Sequence, residues 1–154
     1  LKQYPLADLI NESLAILTNR IEQKDIRLKL SIPEDCTVTV EKTSFVNTVI
    51  NNLLTNAIKF SDPGSCVEIT AVKESATVIM VIQDYGIGMP NSLLDDIFDI
   101  TKKTNRPGTS GEQGTGFGMP LVKRFVEEYR GTIEISSEIA PKDRGTKIKM
   151  ILPV

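Results

Sequence analysis

Two pairs of alternating apolar segments, held apart in the sequence by helical patterns, constrain this chain most. Val67–Lys73 and Thr77–Gln83 read as a β-hairpin with Glu74-Ser75-Ala76 at its tip. Thr132–Ser137 and Thr146–Leu152 form a second pair, joined by a turn at Ala140–Gly145. Around them lie helices. The first spans 6–24, with Asp8 as a cap and Leu9, Ile10, Leu14, Leu17 and Ile21 at helical spacing. Residues 43–60 form a long amphipathic helix starting at Thr43 or Ser44 and stopped by the turn Ser61-Asp62-Pro63-Gly64. A short helix follows Pro90 through about Ile97. Another runs from Pro120 to about Glu128, and Gly131 ends it. Leu28, Leu30 and Ile32 alternate with polar residues up to Pro33, and Val38 and Val40 mark a further short strand. The order α-β-β-α-β-β-α-loop-α-β-β, with the strands paired as hairpins and helices between the pairs, predicts an α+β fold, a mixed sheet with helices packed on one face.

One stretch fits no element. Residues 99–116 are rich in Lys, Thr and Gly, with almost no apolar residue after Ile100. A loop this long inside a compact domain is usually functional or mobile.

Composition narrows the chemistry. The 154 residues make one domain by length, large enough for a real core. There is no histidine, which removes imidazole acid–base catalysis, Ser-His-Asp and Cys-His triads, and His-containing zinc sites. Cys36 and Cys66 lack metal-ligand spacing and read as two free thiols in a reducing compartment. The formal net charge of −2 advertises neither a nucleic-acid surface nor an anionic-membrane surface. No apolar run is long enough to span a bilayer, and no signal-peptide pattern opens the sequence.

Chemistry must then rest on carboxylates, amides, lysines and backbone groups. Four constellations offer it. On the helix 43–60, Asn52, Asn56 and Lys59 form a polar stripe beside the apolar face of Val46, Val49, Ile50, Leu53 and Ala57. Such a stripe is either a solvated face or a holder for a hydrated divalent cation and its phosphates, since Mg²⁺ takes oxygen ligands and keeps waters. Asp84-Tyr85-Gly86-Ile87-Gly88-Met89-Pro90 ends a strong strand. It is either a plain strand-to-helix turn or a place where backbone approaches a ligand while a carboxylate accepts from an exocyclic amine such as adenine's. Gly114-Thr115-Gly116-Phe117-Gly118-Met119-Pro120 leads into a helix, where amides and the helix dipole can cradle phosphate. No strand precedes these glycines, so they are no dinucleotide fingerprint, and the P-loop pattern is absent. Gly145-Thr146 opens the last strand.

In this order the motifs resemble those of bacterial sensor histidine kinases. Asn52–Phe60 is similar to their N box and Asp84–Pro90 to their G1 box. Phe98 resembles their F box, Gly114–Gly118 their G2 box, and Gly145-Thr146 their last glycine box. The resemblance covers nearly the whole chain and implies a single catalytic, ATP-binding domain over 1–154. Its superfamily also contains gyrase, MutL and the heat-shock chaperone ATPases. The fold implied is the α/β sandwich of the Bergerat type: a mostly antiparallel sheet of about five strands on three helices, with a mobile ATP lid over 99–116.

The resemblance also assigns roles. Asn56 would coordinate Mg²⁺, with Asn52 beside the phosphates and metal-bound water. Lys59 would contact phosphate, and Phe60 would line the nucleotide pocket. Asp84 would accept the adenine amine, Gly86 and Gly88 would let the base approach backbone, and Ile87 and Met89 complete that wall. Phe98 and Gly114 would anchor the lid. Gly116 and Gly118 would present amides to the phosphates, Thr115, Phe117 and Met119 would belong to the same nucleotide-binding segment, and Thr146 would help hold a water next to Asp84. Lys102, Lys103 or Arg106 would reach the γ-phosphate. Where hydrolysing relatives carry a water-activating Glu four residues before the metal-binding Asn, this chain has Asn52, and an amide is no general base. The F box has Thr101 where a second aromatic is common, and Phe117, Met119 and Pro120 replace the usual aliphatic residues of the G2 box.

The implied reaction is transfer of the ATP γ-phosphoryl group to a histidine on a separate dimerisation domain. Leu1–Pro5 would be the remnant of the connection to that domain, and a response regulator would act downstream. The domain alone is expected to be monomeric and cytoplasmic, whether free or as part of a membrane-anchored sensor, with no nucleic-acid partner and no membrane contact of its own. A non-catalytic nucleotide-dependent binding module and an anti-sigma-factor-type serine kinase are the alternatives.

Overall fold

The computed structural model describes residues 1–102, 106–113 and 118–154. Strand β1 (Lys2–Pro5) leads into helices α1 (Leu6–Ile16) and α2 (Thr18–Gln23), then strands β2 (Arg27–Ser31) and β3 (Thr37–Val40). Next come α3 (Lys42–Ser44), a π-helical segment (Phe45–Ile50) and α4 (Asn51–Phe60), one continuous helical rod. Strands β4 (Cys66–Glu74) and β5 (Thr77–Asp84) precede α5 (Asn91–Leu94), and α6 (Gly118–Glu128) precedes β6 (Thr132–Glu138) and β7 (Gly145–Pro153).

The main sheet has five strands in the order β2-β4-β5-β7-β6, parallel at β2–β4 and antiparallel elsewhere. This is the mostly antiparallel α+β sheet the sequence predicts. Period-two alternation puts Val67, Ile69 and Ala71 of β4, Val78, Met80 and Ile82 of β5, and Ile148, Met150 and Leu152 of β7 on the buried face. Leu9 and Ile10 of α1, Leu53 and Leu54 of α4, and Val122 and Val126 of α6 join them in one core. Asp84 continues the β5 stripe by one step, so its carboxylate is carried to the inner face.

The structure corrects the predicted pairing of the first two strands. They do not form a hairpin. Instead β3 pairs antiparallel with β1, with Lys2 opposite Val40 and Pro5 opposite Thr37, while β2 runs parallel to β4 at the sheet edge. Residues 1–5, expected as a connecting segment, thus supply a strand. The helix predicted over 6–24 is two helices, broken at Leu17 (φ −99°, ψ 6°). The Thr18 hydroxyl donates back to the carbonyls of Leu14 and Ala15, a local bond that competes with the helical ladder. Asp8 lies inside the first turn rather than at the cap.

Helix 43–60 also starts otherwise than expected. Glu41 caps it, accepting from the amides of Thr43 (2.7 Å) and Ser44 (3.1 Å). The π turn follows from side-chain spacing. Buried pairs recur strictly every four residues: Phe45 and Val46, Val49 and Ile50, Leu53 and Leu54, Ala57 and Ile58. An α-helix turns every 3.6 residues, so such a stripe drifts round the rod. One wider turn with i→i+5 bonds absorbs the surplus. Ser13 ties α1 to this turn by donating to the Val46 carbonyl (2.9 Å). Tyr129, just after α6, meets Phe45 edge to face at 6.0 Å.

Candidate nucleotide-binding site

The site is built from the inner end of β5, the middle of α4 and the start of β7. Pairing of β5 with β7 sets Asp84 opposite Thr146. Asp84 Oδ1 accepts from the backbone amides of Gly86 (2.9 Å) and Thr146 (3.3 Å). The residue is 6% exposed, and burial pushes its carboxyl up to about 6, against the pull of those two amides and the nearby Arg106 charge. A buried carboxylate with a displaced pKa, in a cleft, is a functional-site candidate.

Asn56, Phe60, Asp84, Met89, Met119 and Thr146 line one small cavity, floored by Ala57, Ile97, Ile135 and Ile148. Of the residues singled out in the sequence, the structure brings these six together. Gly86 and Gly88 act first on backbone. A Cβ at Gly86 would lie 1.9 Å from the Phe60 carbonyl oxygen, and one at Gly88 (φ +68°) 1.9 Å from that of Glu138. Their closeness lets the Ile87 amide donate to the Phe60 carbonyl (2.9 Å), which fixes the β5 exit against the end of α4.

Asn52 sits one turn before Asn56. Its Nδ2 donates to the Thr48 carbonyl (2.7 Å), and its Oδ1 faces Gly118 at the start of α6. Lys59 is buried, its ammonium 5.1 Å above the Phe60 ring, and burial holds its pKa below the usual lysine range. It lines a neighbouring cavity of about 470 Å³ with Arg20, Lys24 and Glu112.

The remaining residues lie elsewhere or outside the description. The Lys123 ammonium lies 5.3 Å above the Phe98 ring, and Phe98 does not line the small cavity. Lys102 is exposed in a turn closed on Asp99. Thr115, Gly116, Phe117, Gly114 and Lys103 lie outside the described residues.

Two residues at the site were not among those the motifs mark for the base. Ser137 donates to the Gly145 carbonyl (2.9 Å), accepts from the Met89 amide (2.8 Å) and shares a 2.7 Å hydrogen bond with the Thr146 hydroxyl. It stands opposite Thr146 in β6, so strand register is the signal that finds it. Arg106, expected near phosphate, instead stacks on Phe60 with its guanidinium carbon 4.3 Å from the ring centroid and donates to the Gly88 carbonyl (2.6 Å).

The donor set can be tested against a metal. Among the described residues no three His, Cys, Asp or Glu side chains converge. The amide oxygens of Asn52 and Asn56 are neutral and few. That set fits Mg²⁺, which keeps its waters and shares a substrate's phosphates, and does not fit a cation that needs a full protein cage.

Comparison with known proteins gives the family and the fold. Residues 41–154 match the family described as histidine kinase-, DNA gyrase B- and HSP90-like ATPase. The chain belongs to this family. It is 33% identical over 137 residues to the sensor histidine kinase TmoS of Ectopseudomonas mendocina, covering 86% of this chain and 14% of that protein. The chain thus spans less than a fifth of the length of the curated relatives it matches. The mycobacterial sensor histidine kinase MprB superposes with a TM-score of 0.82 at 25% identity, over 99% of this chain and 96% of the other. The histidine kinase ThkA, solved in complex with the response regulator TrrA, shares the fold at 20% identity with a TM-score of 0.76, over 99% of this chain and 41% of that one. As a domain of this ATPase family the chain uses nucleotide. No helix among the described residues is long and apolar enough to cross a membrane.

Proposed function

We propose that this domain binds Mg²⁺–ATP between α4 and the β5–β7 pair and donates the γ-phosphoryl group to a histidine carried by another domain of a sensor histidine kinase, from which a response regulator receives it. The observation that carries the proposal is the convergence of Asp84, Phe60 and Asn56 on one cavity at the end of the polar stripe.

The roles follow from chemistry. Asp84, held by two amides on Oδ1, offers carboxylate oxygen to the exocyclic amine of adenine; a guanine would present a carbonyl there and be repelled. Phe60 and Met89 give the base apolar walls. Asn56, with Asn52 a turn away, would hold Mg²⁺, which neutralises phosphate charge as the γ-phosphoryl group leaves. Lys59, on the same stripe of α4, would add its positive charge to the phosphates. No residue of the stripe is a base that could activate water, so bound ATP persists until an acceptor arrives. Positioning and charge neutralisation then do most of the catalysis.

The test mixes the domain with histidine-bearing helices of its own kinase and γ-labelled ATP. Acid-labile label on the helices is expected, and Asn56→Ala should remove the magnesium-dependent part of the ATP affinity. ATP binding with no label transfer would reduce the domain to a nucleotide-dependent binding module. Acid-stable label would point to serine.

A further inference from the structure

We propose that Arg106 is an internal surrogate for the adenine base: its guanidinium occupies the base position over Phe60 and must leave before nucleotide enters. This rests on the nucleotide-site reading above and adds a competitor that belongs to the chain itself.

Three observations place the side chain there. The guanidinium carbon lies 4.3 Å from the Phe60 ring centroid, in the range of a cation–π stack. Nη2 donates to the Gly88 carbonyl at 2.6 Å, on the loop that follows Asp84. The Arg106 charge also lies close enough to pull the Asp84 carboxyl's pKa downward, against the larger effect of burial. A planar group with edge N–H donors, stacked on an aromatic ring and bonded to the loop that follows a buried carboxylate, has the recognition features of an aminopurine edge. The cavity beside Asp84, whose lining shares Phe60 with the Arg106 stack, measures about 30 Å³, room for a water or so and not for a purine.

The surrogate is held in position yet imperfectly satisfied. Two residues on, Gly108 begins a turn fastened to the end of α4. The Gly108 amide donates to the Glu112 carbonyl, the Thr109 amide to the Lys59 carbonyl (both 2.9 Å), and the Thr109 hydroxyl to the Ser61 carbonyl. Glu112 is paired with buried Lys24 at 2.7 Å. Arg106 Nε, by contrast, is buried without a hydrogen-bond partner among the described residues. An unpaired buried donor weakens the closed state, so adenine can displace the guanidinium. Because the pocket is open in only part of the population, apparent affinity falls by that fraction.

The experiment titrates adenosine and ATP separately into the wild type, Arg106→Ala, Arg106→Lys and, as a control on the site, Asp84→Asn. Melting curves check that each variant is folded. Adenosine isolates the base, so a contact between Arg106 and phosphate cannot mask the result. Arg106→Ala is expected to tighten adenosine about three- to tenfold. Arg106→Lys, which keeps charge and loses the planar stack, should fall between it and the wild type. In ¹⁵N NMR the Arg106 Nε–H of the free protein should show a ring-current shift that adenosine abolishes. Adenosine affinity that is unchanged or weaker in Arg106→Ala overturns the surrogate. If the wild type then still binds adenosine and Asp84→Asn does not, the nucleotide site stands without it. If neither the wild type nor Arg106→Ala binds adenosine or ATP, both readings fall.

Discussion

Asp84 carries opposite demands at a single residue. Burial raises its carboxyl from 3.8 to about 6, so at neutral pH the folded protein holds a charge that the unfolded chain solvates more cheaply. Between those two values the folded state binds a proton that the unfolded state lacks. Stability therefore falls as pH rises through that window, and the full cost is present above about 6. Asp84→Asn keeps an Oδ1 acceptor for the Gly86 and Thr146 amides and removes the charge. It should stabilise the domain at pH 7 by on the order of 2–3 kcal/mol and by almost nothing at pH 3.5, read from urea unfolding at both pH values. The same variant presents Nδ2 donors toward the adenine amine, so ATP affinity should drop more than tenfold. In the wild type, ATP affinity should decline below about pH 6 as the acceptor is protonated. The aspartate was legible in the sequence because it closes an alternating strand just before two glycines. Ser137, which ties Met89 to Thr146 beside it, was not, since only strand register reveals it.

At the scale of elements, the C-terminal end of α4 is organised by a residue far from it in sequence. Lys24 Nζ donates to the carbonyls of Ile58 (2.8 Å) and Lys59 (3.0 Å) and to Glu112 Oε2 (2.7 Å), which uses all three of its protons. It caps the helix and ties the turn at 108–112 to it. Lys24→Met should cost about 2–4 kcal/mol, because it leaves buried carbonyls and a carboxylate without their donor. Glu112→Gln should cost under about 1 kcal/mol, since that carboxylate is partly exposed, yet should speed hydrogen exchange at the Thr109 amide. The helix itself was legible from its apolar stripe. Its π turn was legible only in the strict four-residue spacing of the buried pairs, and the break at Leu17 turned on one hydroxyl, Thr18, choosing carbonyls over solvent. Such local competitions are decided by tertiary fit, which periodicity does not encode.

For the molecule as a whole, the sequence pattern conveyed the class and the inner face of the sheet, and misassigned who pairs with whom at its start. Val38 and Val40 alternate whichever neighbour they take, so pattern alone could not choose β1 over β2. The ribbon of β1 and β3 is separate from the main sheet, and its strand residues Val38 and Val40 are fully buried. Removing residues 1–5 should therefore lower stability by about 1–3 kcal/mol in urea unfolding while the single cooperative transition is kept.

That ribbon has a mechanical consequence. Val40 ends β3, and the next residue, Glu41, caps the rod that carries Asn52 and Asn56. No slack chain intervenes. A pull or twist applied at Lys2 crosses to Val40 through the paired backbone and arrives as axial strain on the very turns that would grip the phosphates.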